Sequence, residues 1–342
     1  VITPVALGWA IFRRYRIWRL GKPMPDLGPL GPRVKRSLGM AALDLFGHRR
    51  FVKRDLYPGL MHFFIFWGFA MLFIATSISA AEFQFHKFMP VEFPTSRFRV
   101  QEGFVWDVFG GIFAFVGISM AMLRRWVTRP PRLNTFVDDN VILLWLMMLV
   151  LSGFVVEGLR ISATDPAHRW AEPGGYVFAL AFDNMSQNTI EVSHFILYWI
   201  HTAGTAAAFV YLAVQFSKIS HIFFSPLNAF LRHTRPYGTL RPMGDILSLE
   251  RFGASDLTDF TWKQLLDFDA CTNCGRCQDQ CPAYASGKLL SPRKVIQDLR
   301  AYQTVRAPGL ITAIQSGTEA PNPEVPMVDV VGTEEIWSCT TC

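Results

Sequence analysis

The sequence predicts an all-α membrane protein: a five-helix transmembrane bundle followed by an α-helical domain built around a cysteine loop. Three observations lead there. Of the 342 residues, 51% are hydrophobic and only 18% charged, with 30 Phe and 10 Trp, a composition too apolar for an ordinary soluble chain. Apolar stretches at 57 to 81, 103 to 124, 139 to 160 and 190 to 217 each reach the roughly 20 residues that cross a bilayer. All six cysteines lie in two clusters close to the C-terminal end.

The first apolar run, V-I-T-P-V-A-L-G-W-A-I-F, is too short to span and reads as the tail of a first transmembrane helix, the fifth of the set. The basic residues follow this run instead of preceding it, and no small-residue cleavage site stands there, which argues against a secretory signal. The chain opens on Val1 and closes on Cys342 in the middle of a motif, so the sequence is expected to be part of a longer polypeptide.

Lys and Arg set the orientation. Between residues 13 and 54 twelve of them stand against two acids, Asp26 and Asp44, which places this loop in the cytoplasm. Arg124, Arg125, Arg129 and Arg132, and later Lys218, Arg232, Arg235 and Arg241, fall on the same side if the spans alternate. The loops at 82 to 102 and 161 to 188 are then outside, with the N-terminus outside too. The net charge of +6 is confined to these flanks, a topology signal that gives no reason to expect nucleic acid as a partner.

Residues 1 to 233 form the expected transmembrane domain, 234 to 244 a Pro/Gly-bearing linker, and 245 to 342 a cytoplasmic domain. Ser225 to Arg232 reads as a short interfacial helix. Thr261 to Phe268 reads as a helix leading into the cysteine loop, and Ser291 followed by Pro292 as the start of a helix to about Tyr302. No alternating strand pattern appears after residue 245.

Cys271, Cys274, Cys277 and Cys281, followed by Pro282, read C-T-N-C-G-R-C-Q-D-Q-C-P. This is the C-x2-C-x2-C-x3-C-P spacing by which ferredoxins hold [4Fe-4S] clusters, the fourth cysteine serving a different cluster from the first three. Cys339 and Cys342, as C-T-T-C, open a second such run, so two clusters are expected. A zinc site is the competing reading, but it pairs two C-x2-C knuckles and needs neither the third close cysteine nor the proline. No cysteine is spare for a disulfide, which matches a reducing compartment.

Histidines at membrane depth default to function. His62 stands near the cytoplasmic start of the second helix and His221 at the cytoplasmic end of the fifth, where two imidazoles can ligate one haem iron from opposite faces. Gly59 and Gly68 are expected to leave room for the macrocycle. The plain alternative makes both histidines interfacial side chains. A second polar group, His194, His201, Glu157 and Arg160, with Glu82 somewhat further out, gathers towards the outer face, and is a candidate for a second haem or a quinone site. Its plain alternative is an i, i+3 ion pair between Glu157 and Arg160. His48, His86, His168 and His233 are expected to be solvated loop residues. Phosphate loops, dinucleotide fingerprints and Ser/His/Asp orders are absent from the sequence.

The segment S-K-I-S-H-I-F-F-S-P-L-N resembles the end of the fifth helix in the gamma subunit of respiratory nitrate reductase and in the membrane subunits of heterodisulfide reductases. That resemblance implies a cytochrome b bundle with an inner b haem on His62 and His221. It matches His201 to a ligand of a second haem whose partner position here is Leu72. G-L-M-H-F-F-I-F-W-G-F and L-S-G-F-V-V-E-G-L-R-I, fused to a cluster domain, look most like the membrane-bound heterodisulfide-reductase-like quinone oxidoreductases that accept electrons from electron-transfer flavoprotein.

The resemblance implies electron transfer between a cytoplasmic redox protein, such as electron-transfer flavoprotein, and menaquinone or another quinone in membrane lipid. A homo-oligomer is compatible with it. One rival reading reverses the flow: a quinol-oxidising subunit feeding a heterodisulfide- or sulfite-reductase-type complex. Another makes the chain a non-catalytic anchor.

Overall fold

The computed structural model describes residues 2–24, 27–88, 103–215, 220–232, 247, 253–323 and 325–341. The expected linker at 234 to 244, most of the loop at 82 to 102, His233, Cys342 and the side chains of Glu82 and His86 lie outside the described residues. The described residues are helical, with no strand among them beyond a single bridge between Lys22 and Thr261. They divide into two compact units.

The first unit gathers Val1–Ala42, Pro131–Asn134 and Val210–Cys342. It contains α1 (Ile2–Trp18), α2 (Leu30–Met40) and the short helix His221–Phe230, which we label α3. The cysteine-bearing part follows, with α4 (Trp262–Ala270) and α5 (Pro292–Ser316) as its longer helices. Thr261 caps α4 by accepting the Gln264 N–H, and Ser291 caps α5 by accepting that of Lys294, each satisfying one orphan donor of a first turn. The helix expected to stop near Tyr302 runs on to Ser316, because Ala307, Leu310 and Ala313, at intervals of three, are buried on one face. Tertiary burial there outweighs the helix-breaking tendency of the internal Pro308.

One core joins these pieces. Trp18, Phe224, Leu257, Leu265, Leu266, Phe268, Leu299 and Leu310 are all buried in it. Leu265 and Leu266 are fully buried, and each contributes about 1.5–3 kcal/mol by leaving water. The segment expected to be a membrane stub therefore ends in contact with the cysteine-bearing part, Trp18 Nε1 donating to Asp269 at 2.8 Å, while its ring meets Phe224 edge-to-face at 5.3 Å.

The second unit, Leu43–Pro130 with Thr135–Phe209, is the helical bundle. Its helices are α6 (Leu56–Phe88), α7 (Gly103–Thr128), α8 (Val137–Thr164) and α9 (Pro173–Phe182), with most of the long helix Gln187–Gln215, α10. Small residues let the helices approach closely. A Cβ on Gly68 would lie 2.4 Å from the Ala114 nitrogen, and one on Gly117 would lie 2.7 Å from that of Ile65. Gly68 thus serves helix packing, which corrects the expectation that it leaves room for a macrocycle.

Among the described residues three helices are long and apolar enough to cross a membrane: Leu56–Ile78, Gly103–Thr128 and Val137–Thr164. Five were expected. The first stretch forms a helix of 17 residues, and α10 interrupts its apolar run with His194, His201, Thr202 and Thr205. The loop expected at 161 to 188 contains α9, opened by Pro173 at its first turn.

Candidate functional site

The cysteine loop follows directly from α4. Cys271 is the residue after its last turn, and Arg300 on α5 donates to the Cys271 carbonyl at 3.1 Å. Asn273 and Gly275 take left-handed backbone, at φ +57° and +77°, which bends the loop between Cys271 and Cys277. Gly275 is also crowded: a Cβ there would lie 2.8 Å from the carbonyl oxygen of Arg132. Arg132 pairs with Asp279 at 3.0 Å, and its carbonyl accepts from Arg293 at 2.6 Å.

Three thiols, of Cys271, Cys274 and Cys277, stand on this loop. Burial, together with the adjacent thiols of Cys271 and Cys274, pushes the Cys277 thiol above its ordinary range. Mutual destabilisation of thiolates is what a cationic iron centre relieves, so the donor set fits an iron–sulfur cluster. Gln297 Nε2 donates to Cys271 Sγ at 3.1 Å, a bond of the kind that tunes cluster potential. Cys281 packs instead among Ala283, Leu290 and Val295, and Cys339 is exposed in the C-terminal segment. Among the described residues no three Cys, His, Asp or Glu side chains stand ready-assembled as a metal site.

The helix carrying His221 packs on this domain. Phe224, one turn after His221, enters the core with Leu265, Leu266 and Phe268 of α4. Asn228 accepts from Lys263, and Arg36 of α2 donates to the Arg232 carbonyl at 3.1 Å.

His62 lies in the second unit. Its Nδ1 is 2.7 Å from Nε2 of His48. His48 is 2% exposed, enclosed by Phe63 and Phe66, and held at φ +49°. This corrects the expectation of a solvated loop histidine. His48 Nδ1 is 3.4 Å from the Phe46 carbonyl, which can only accept. With His48 neutral, its Nε2 accepts, so His62 Nδ1 donates and His62 Nε2 carries the lone pair. Burial pushes the His48 imidazolium down, against the opposing pull of the Phe46 carbonyl, which favours that neutral ring. A lone pair on Nε2 with Nδ1–H anchored by a neighbour is the arrangement of a metal-ligating histidine.

The second polar group is wider than expected. Arg160 pairs with Glu172, an acid the sequence reading missed, and stands 3.9 Å from Glu157. Asp107 of α7, also missed, accepts from the Gly174 N–H at 2.6 Å. Both were legible as charges beside apolar runs, as in F-V-W-D-V-F-G-G. His201 approaches from α10, its Nδ1 2.9 Å from Ser152 Oγ. His194 stacks on Tyr198 at 6.2 Å and lies within electrostatic reach of Arg160. Leu72 packs on Gly110.

A bundle of apolar helices carrying an iron–sulfur loop defines a membrane-associated iron–sulfur protein of electron transfer. Residues 95–242 match the nitrate reductase gamma subunit family, and residues 262–283, which include the cysteine loop, match a 4Fe-4S binding domain. The two modules thus stand together in one chain. It is similar to the EtfAB:quinone oxidoreductase of Syntrophomonas wolfei, with 36% identity over 87% of this chain and 44% of the relative. The probable iron-sulfur-binding oxidoreductase FadF of Bacillus subtilis shares 28% identity over 91% of this chain and 47% of its own length. One component of the dihydromethanophenazine:CoB–CoM heterodisulfide reductase of Methanosarcina mazei shares 24% identity over 56% of this chain and 66% of its own. The chain thus spans less than half the length of the first two relatives. No solved structure matches it.

Proposed function

We propose that the chain carries electrons between a cytoplasmic redox protein, of which electron-transfer flavoprotein is the favoured one, and a quinone such as menaquinone. The observation that carries this reading is the core shared by α3 and α4. The helix that presents His221 and the helix that leads into Cys271 are one packed body, so a redox centre at His221 is coupled mechanically to the cluster loop.

The proposed ligands are Cys271, Cys274 and Cys277 for one [4Fe-4S] cluster, with Cys281, Cys339 and Cys342 contributing to a second. His62 and His221 hold haem b. These groups supply one-electron chemistry when bound. The chain's own part is to place and tune them. Gln297 polarises Cys271 Sγ, and His48 anchors the His62 ring with Nε2 as the ligand nitrogen. His194, His201, Glu157 and Arg160 form the quinone-facing polar group, where His201 is also the candidate for a second haem. Residues 1–233 are the membrane domain with the N-terminus outside, and 245–342 the cytoplasmic cluster domain, joined by 234–244.

The test is to reduce the solubilised full-length protein with electron-transfer flavoprotein and follow the b-type spectrum with and without a quinone analogue. Reduction by the flavoprotein and reoxidation by quinone are expected. A preparation with clusters but no reducible b-type absorption would sink the haem assignment and favour the anchor reading.

A further inference from the structure

Asp107 is 5% exposed at the beginning of an apolar helix. Its Oδ2 accepts from Gly174 at the first turn of α9, where the positive end of the helix favours one negative charge. Its Oδ1 is buried and meets no hydrogen-bond donor. The group that faces it is the Glu157 carboxyl. The two are closed over by backbone: a Cβ on Gly174 would lie 2.7 Å from Asp107 Oδ1, and one on Gly175 would lie 2.6 Å from Glu157 Oε2.

Two carboxylates cannot hydrogen-bond each other, since both only accept. A single proton changes that, letting one carboxyl donate to the other. The remaining charges point the same way. Glu172 and Arg160 are the other ionisable groups facing the pair; Arg160 pairs most closely with Glu172 and stands 3.9 Å from Glu157. Among the described residues no second cation faces Glu157 and Asp107 together. The Glu157 side chain is 26% exposed whereas Asp107 is sealed, so Glu157 is the member able to exchange its proton.

We propose that Asp107 and Glu157 share one proton and that this pair is the proton-exchange site of the bundle, with Glu157 as donor and Asp107 as its positioning anion. The role, though not the shared proton, rests on the quinone reading above. As the chain's redox centres deliver two electrons to a quinone, Glu157 gives its proton to one ring oxygen. The pair reloads from water, gives a second proton to the other oxygen and reloads once more, leaving quinol and the starting pair. Oxidation of quinol runs the same transfers backwards.

The test uses full-length protein at neutral pH, as wild type, Asp107→Asn and Glu157→Gln, with cluster absorption as the control for folding. Infrared spectroscopy of the wild type should show the carbonyl stretch of a protonated carboxylic acid that shifts in deuterium oxide, and both variants should lack it. Quinone reduction by the pre-reduced protein should fall about 100-fold in Glu157→Gln, the scale of a lost general acid, with cluster reduction unchanged. Persistence of the band in both variants overturns the pair. So does a wild type that reduces quinone without showing the band, while leaving the quinone reading intact. A wild type that shows the band but reduces no quinone overturns the delivery role together with that reading.

Discussion

His48 Nε2 lies 2.7 Å from His62 Nδ1, and this contact leaves Nε2 as the nitrogen of His62 that carries the lone pair. Replacing His48 by Leu removes the acceptor that fixes the tautomer of His62. Haem retention should then fall about 10- to 100-fold, the usual cost of a lost partner behind a metal ligand. His48→Gln, whose side-chain oxygen can accept the same proton, should keep most of it. The measurement is b-type absorption per cluster iron in purified protein; equal haem content in His48→Leu and wild type would remove the anchoring role.

The proposed haem-binding role is tested by His62→Ala and His221→Ala. Each should abolish the b-type signal while the cluster resonances remain visible by electron paramagnetic resonance. Full haem in both variants would show that the iron has other ligands.

Gly275 joins a left-handed backbone to a crowded one. Ala at this position costs about 1 kcal/mol for the positive φ alone, and its methyl would meet the Arg132 carbonyl. Gly275→Ala should therefore bind less iron at the Cys271 loop, while Gly253→Ala, at φ +81° but with nothing within 4 Å, should not. Iron and sulfide analysis of the two variants separates crowding from backbone strain.

Arg306 grips Asp256 with bonds as short as 2.6 Å, and the Tyr302 hydroxyl adds another at 3.1 Å. Burial would raise the Asp256 carboxyl, but Arg306, the Leu257 N–H and Tyr302 outweigh it and hold it below the usual carboxylate range. Asp256→Ala strands Arg306 and should cost about 3 kcal/mol. Because the folded carboxyl is depressed, its contribution is complete above pH about 4 and is lost as pH falls through the lowered value. Thermal unfolding followed by tryptophan fluorescence should give the same difference between Asp256→Asn and wild type at pH 7 and pH 5. The gap should narrow only in stronger acid.

Much was legible from residue order alone, and the reason is the range of the forces involved. Bilayer length, helix caps at Thr261 and Ser291, and the C-x2-C-x2-C-x3-C-P run are local properties, written within a few turns of chain. They determined the all-helical class, the apolar helices and the iron–sulfur loop. The extension of α5 to Ser316, the docking of Trp18 beside Phe224, and the burial of His48 depend on partners 14 to 251 residues away. No local pattern announces such pairings: Trp18 Nε1 donates to Asp269 at 2.8 Å only because two distant segments share one core. The same holds for Asp107 and Glu157. Each is an ordinary acid in the sequence, and only the closing of Gly174 and Gly175 over both turns them into a pair that must hold a proton, since burial removes the water that would otherwise satisfy them.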